Sequence, residues 1–223
     1  MDYKIEHAPV FSTVRIMLKQ GEQFRAEAGA MVSMSPTLKL EAKSAGKGLF
    51  GSIKAAVGGE SFFASLFTAE TGDGELVLAP GNPGDILKME LTGNTILAEG
   101  GAYLAGSPGL EISTQGSLKA MISGEGLFLQ KITGKGVVFL NSYGAIYERT
   151  LKPGETYIVD TGHIVAFNDS VQYKLKKASK GLLSSLASGE GLVCEYTGPG
   201  TLWIQTRNLS ALAQMISKFI PSR

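Results

Sequence analysis

The sequence predicts an all-β protein made of three tandem repeats followed by one C-terminal helix, and three internal alignments predict it. First, Glu60, Glu125 and Glu190 are evenly spaced at 65 residues (125 − 60 and 190 − 125), each behind a glycine and each followed two places on by a pair of apolar residues, in "GGESFF", "SGEGLF" and "SGEGLV". Second, each is followed downstream by a TGxG tetrapeptide: "TGDG" at 71–74, "TGKG" at 133–136 and "TGPG" at 197–200. Third, "GEQFRAEAGAMVS" from Gly21, "GNTILAEGGAYLA" from Gly93 and "GETYIVDTGHIVA" from Gly154 share an acid at Glu27, Glu99 and Asp160 and a second glycine at Gly29, Gly101 and Gly162. Independent motifs that keep one order three times mark internal duplication. The repeats run over about 1–88, 89–150 and 151–207, in a single β domain, with the helix at 208–220.

Each element follows from local pattern. Behind every TGxG comes a run rich in β-branched and aromatic residues, "ELVLA", "VVFLNS" and "TLWIQT", at the length of one strand. This makes each TGxG a hairpin turn in the sequence reading, since Asp-Gly and Pro-Gly suit tight turns. The third series alternates apolar and polar residues around a glycine-rich bend, which predicts two more short antiparallel strands per repeat. Ahead of each repeated glutamate, "GLFGSIKAAVGG", "GSLKAMISG" and "GLLSSLASG" space their apolar residues as a helix does. They are too short to hold a helix alone and predict one or two helical turns closed by glycine. The C-terminal segment predicts a true helix, capped by Asn208 or Ser210, with Leu209, Leu212, Ala213, Ile216, Phe219 and Ile220 on one face and Pro221 ending it. Packing of that face on its own domain is the expectation.

Composition bounds the rest. At 223 residues the chain can bury a sizeable core without staples. Lys plus Arg number 21 against 20 for Asp plus Glu, so no global field draws in nucleic acid, an anionic membrane or an acidic substrate. The single cysteine, Cys194, excludes an internal disulfide and agrees with a reducing, cytoplasmic setting. Asp2, Lys4 and Glu6 interrupt the apolar stretch that a secretory leader needs, and no apolar run reaches the length of a membrane span, about 18 residues.

"GKGLFGSIKAAVGGESFF", the two "SGEGL" copies and "TGPGTLWIQTR" together resemble a widespread bacterial and archaeal family related to the altered-inheritance-of-mitochondria protein of fungal mitochondria. The resemblance spans essentially the whole chain. It implies a double-stranded β-helix-like sandwich in pseudo-three-fold repetition, grouped with the trp RNA-binding attenuation protein. It further implies self-association as trimers, and no established enzymatic activity.

The residues capable of chemistry do not add up to an active site. Glu60, Glu125 and Glu190 would make a three-carboxylate cluster if they met on a pseudo-axis, able to hold a cation or act as bases. Three equivalent environments, however, give no means of driving their pKa values apart. Backbone-capping glutamates copied with the repeat are the simpler account. His7 and His163 form no HxH or HxxxH pair, which argues against a metal-dependent sandwich enzyme. His163 replaces Ala30 and Ala102 of the other repeats, and Cys194 falls where Ala64 and Leu129 stand. Both read as structural. "GKGLFG" lacks the spacing of a phosphate loop, so no cofactor is expected. The lysines gather only in "KLKKASK" without an aromatic platform, which argues against nucleic acid. The expectation is a non-enzymatic homo-oligomeric scaffold, with peripheral membrane contact through Leu49, Phe50, Ile53, Leu182, Leu183 and Leu186 as an additional expectation. The alternatives are a ligand- or RNA-binding module using grooves between repeats, and an enzyme employing His163 or the triplet of Glu60, Glu125 and Glu190.

Overall fold

The fold grows from alternation. In Thr13–Leu18 the side chains of Val14, Ile16 and Leu18 are buried while their neighbours are not, and in Val193–Thr197 Cys194 and Tyr196 are buried in the same rhythm. The computed structural model describes residues 1–43, 64–115, 127–176 and 192–220. The helical turns expected at 48–59, 116–124 and 181–189 lie outside them. Within them the chain is all-β, in several antiparallel sheets, with one C-terminal helix.

After β1 (Asp2–Glu6), the strands fall into three sets. The first comprises β2 (Thr13–Leu18), β3 (Gln23–Glu27), β4 (Met31–Met34), β5 (Leu38–Lys43), β6 (Ala64–Ala69) and β7 (Gly74–Leu78). In the second, β8 (Ile86–Glu99) and β11 (Leu129–Asn141) are long and bent, so that each supplies two arms, with β9 (Tyr103–Gly106) and β10 (Leu110–Gln115) between them. The third comprises β12 (Ile146–Leu151), β13 (Thr156–Asp160), β14 (Ile164–Asn168), β15 (Gln172–Lys176), β16 (Val193–Thr197) and β17 (Gly200–Gln205). Counting the arms, every set has six strands.

Each set makes the same four antiparallel pairings. First pairs with sixth (β2–β7, the outer arms of β8 and β11, β12–β17) and second with fifth (β3–β6, the inner arms, β13–β16). Third pairs with sixth (β4–β7, β9–β11, β14–β17) and fourth with fifth (β5–β6, β10–β11, β15–β16). A register shift interrupts every third-to-sixth ladder, at Val32, Leu104 and Val165, one extra residue each time. Each set is therefore two half-sheets of three strands.

The TGxG elements are not hairpin turns. β6 and β7 flank the first and pair with different partners, as do β16 and β17 around the third, while β11 runs through the second with a register shift at Thr133/Lys135. They are corners at which the chain leaves one half-sheet for the other. Gly134 and Gly136 turn that corner with φ of 117° and 143°, a region closed to side chains that carry a Cβ. The first-to-second corner is built the same way on Gly21, Gly93 and Gly154, all at positive φ. Tight-turn composition serves a corner as well as a hairpin.

Three clusters of buried side chains sit where half-sheets face each other. In the first, Phe139 of β11 meets Tyr3 and Phe24 with ring centroids 5.5 and 6.1 Å away, so the second set closes the core of the first. In the third, Phe167 meets Tyr196 edge-on at 5.1 Å. The helix α1 (Leu209–Ser217) is capped by Asn208, whose side-chain oxygen accepts from the Ala211 N–H at 3.2 Å. Its apolar face does not dock: none of its residues is buried, and Leu209, Met215, Ile216, Phe219 and Ile220 are exposed.

Candidate functional site

Neighbouring sets are joined by one repeated contact. The second strand of a set pairs antiparallel with the third strand of the next: Ala26 of β3 opposite Ala105 of β9, and Ala98 of β8 opposite Ala166 of β14. This welds half-sheets into two complete six-stranded sheets, β5-β6-β3-β9-β11-β8 and β10-β11-β8-β14-β17-β12. Two half-sheets are left over, β1-β2-β7-β4 at one end and β13-β16-β15 at the other. Among the described residues, β4, a third strand, is the edge opposite β1 in the one, and β13, a second strand, is the edge opposite β15 in the other, and neither has the neighbour that joins the sets elsewhere.

The side chains on these edges show what is missing. Val32 of β4 is 58 % exposed, whereas Leu104 and Val165, its counterparts at the bulge in β9 and β14, are 0 % and 1 % exposed. Met31 and Met34 are exposed where Tyr103, Ile164 and Phe167 are buried. On β13, Ile158 is 56 % exposed and Leu97, its counterpart in β8, is buried. Sequence reading placed these strands but not their exposure. The apolar residue shared by the three aligned series at Val32, Leu104 and Val165 was the available signal.

A cleft of about 280 Å³ lies where the second and third sets meet, lined among others by Glu99, Asn141, Gln205 and Asn208. Its polar groups hold the chain itself together. Glu99 accepts from the Gly101 N–H at 2.9 Å and Asp160 from the Gly162 N–H at 2.8 Å, so the repeated acid of the third series ties down its own turn. The Asn141 amide donates to the Gly101 and Ala102 carbonyls, both at 3.1 Å, and the Gln205 amide donates to the Gly162 carbonyl at 2.9 Å while its oxygen accepts from the Tyr143 N–H. Asn208 caps the helix.

Glu60, Glu125 and Glu190 lie outside the described residues, as do the apolar segments considered for membrane contact. Among the described residues, no group of three or more His, Cys, Asp or Glu is arranged to hold a metal ion. His7 is exposed, with φ of 59°, ahead of β2. His163 is half-buried in the 3-10 turn before β14, its Nδ1 2.8 Å from the Gln205 carbonyl oxygen. Cys194 is fully buried, and burial pushes its thiol above the ordinary value, away from a reactive thiolate. Neighbouring Tyr196 is raised further by the same burial.

Fold and edges define a class: all-β proteins whose sheets are welded from half-sheets of successive strand sets. A sequence profile described as Mitochondrial biogenesis AIM24 matches residues 3–207, and the chain belongs to that family. It is 33 % identical to an uncharacterized protein of Streptococcus pyogenes serotype M6, over 100 % of this chain and 92 % of that one. It is also similar to the X-ray crystal structure of a Streptococcus pyogenes protein, with a TM-score of 0.81 and 32 % identity over 98 % of this chain and 99 % of the other.

Proposed function

We propose that the protein is a non-enzymatic, homo-oligomeric scaffold of the cytoplasm, built from three copies of one β unit and working as a trimer. The observation that carries this reading is the exposure of β4 beside the burial of β9 and β14, strands of the same position and pairing. A four-residue edge strand with three exposed apolar residues and no charge is a poor surface for a free molecule. The triplicated unit is supported by the four pairings that recur in all three sets. Peripheral membrane contact belongs to the same reading. The three apolar connections all leave from the fourth strand of a set and return at its fifth, beyond Lys43, Gln115 and Lys176. Among the described residues no helix is long and apolar enough to cross a membrane.

The test is the mass of the full chain by size exclusion with light scattering. The reading expects one species at three times the chain mass of 23.5 kDa. A species at the mass of one chain, unchanged on concentration, would overturn it.

A further inference from the structure

We infer that the cleft between the second and third sets binds a small neutral polyol of the size of one sugar ring. The cleft is lined by one chain alone, so this goes beyond the oligomeric reading and does not depend on it. Its volume of about 280 Å³ has room for about nine waters, on the order of a single monosaccharide.

Comparison of the repeats shows that the fold does not require the amides of the cleft. Counted from the last glycine of each TGxG, Ala79, Asn141 and Gln205 occupy one position. Ala30 and Ala102 are likewise equivalent, counted from Gly21 and Gly93. The backbone link between these positions is the same with and without an amide: the Ala79 N–H donates to the Ala30 carbonyl at 2.9 Å, and the Asn141 N–H to the Ala102 carbonyl at 2.7 Å. The first set completes its turn with a methyl group where the second and third carry amides.

Asn141 is also left with an unused acceptor. Its side chain is 6 % exposed, and its amide nitrogen is spent on the Gly101 and Ala102 carbonyls. Its amide oxygen accepts from no described group, whereas that of Gln205 accepts from the Tyr143 N–H. An oxygen on so buried a side chain is costly unless a partner reaches it, and the cleft is where a partner can enter. Donors come from the helix. Asn208 takes up the Ala211 N–H, which leaves the N–H groups of Leu209 and Ser210, both lining the cleft, without an acceptor among the described residues.

Charge selects the class of ligand. Among the described residues lining the cleft, Glu99 is the one carboxylate, and there is no lysine, arginine or histidine, which disfavours an anion. The N-terminus of α1 carries a partial positive charge, which disfavours a cation. A neutral molecule that both donates and accepts meets neither penalty, and hydroxyl groups do both. Ile164 and Val165, each 1 % exposed, give the cleft an apolar wall on which the C–H face of a sugar ring can pack.

Titration calorimetry on the full chain tests this, with D-glucose, D-galactose and myo-inositol as polyol probes and glycine and inorganic phosphate as charged ones. Saturable binding of at least one polyol is expected, and none of glycine or phosphate. Leu209→Pro removes one helix N–H where proline is tolerated, since Asn208 before it is already extended at φ −121° and ψ 118°. Asn141→Leu removes the amide at similar volume. Each variant is expected to weaken polyol binding about tenfold, the loss of one hydrogen bond from a desolvated site, while keeping a cooperative melting curve. Should Asn141→Leu fail to fold, Leu209→Pro decides alone. Binding of no polyol, binding of glycine or phosphate instead, or polyol binding unchanged in either folded variant would each overturn the inference.

Discussion

Gly84→Ala is expected to destabilise the protein by at least about 3 kcal/mol, the upper range for forcing a methyl into a close-packed site. For a chain of this size that lowers the midpoint of thermal unfolding by roughly 6–12 °C. Gly84 lies in the segment entering β8, where it bridges in parallel to Phe11 on one side and Gly144 on the other. Those three residues each stand two places before the first strand of a set, so the sets are aligned through Gly84. A Cβ there would sit 1.6 Å from the Ser142 carbonyl oxygen, backbone that cannot swing aside as a side chain would. The hydrogen bonds around it are also fixed: Ser12 N–H to the Gly84 carbonyl and Asp85 N–H to the Gly144 carbonyl, both 3.0 Å. Gly81→Ala is the control, because a Cβ at Gly81 meets nothing within 4 Å. Its melting curve is expected to overlay that of the unaltered chain.

Phe139→Ala is expected to cost about 3–5 kcal/mol, the range for truncating a buried aromatic ring. Phe139 is fully buried and touches Tyr3 and Phe24, so its ring links strands of two sets. Its loss leaves a void between them rather than in the middle of one unit. Chemical denaturation is expected to show a lower midpoint. Phe139→Leu, which refills most of the space, should recover a large part of the difference. A loss under about 1 kcal/mol for the alanine variant would mean that the first two sets do not share a core.

How much of this was legible in the sequence depends on whether a residue's job is local. Gly21, Gly93 and Gly154 were visible because a positive φ is a local demand. Glu99 and Asp160 recur because each bonds an N–H two residues away. The TGxG elements were placed correctly but misread as hairpins. Composition records that the chain turns, whereas the partner of the strand beyond Gly74 or Gly200 is decided by residues far off in sequence, Val14 to Leu18 and Ile146 to Leu151. Asn208 announced the helix cap. The amphipathic spacing behind it says that a face wants cover without saying what covers it, and here Ile216 and Phe219 are left exposed by the chain itself.

The open edges were hidden for a related reason. "MVSM" and "YLAG" are both short apolar strands to a sequence reader. Only the pairing of β9 with β3, and the absence among the described residues of a counterpart on β4, makes one an interior strand and the other an edge. The glutamate triplet remains a sequence feature, since its three residues lie outside the described ones.

In the proposed oligomer the edges β4 and β13 are covered by neighbouring copies and behave as interior strands. Amide hydrogen exchange on the native full chain, read residue by residue, tests it most directly. An edge strand leaves alternate N–H groups open to water, while an interior strand pairs them on both sides. The amides of Met31–Met34 and Thr156–Asp160 are expected to exchange as slowly as those of Tyr103–Gly106 and Ile164–Asn168. Alternating fast amides in β4 and β13, beside uniform protection in β9 and β14, would contradict it.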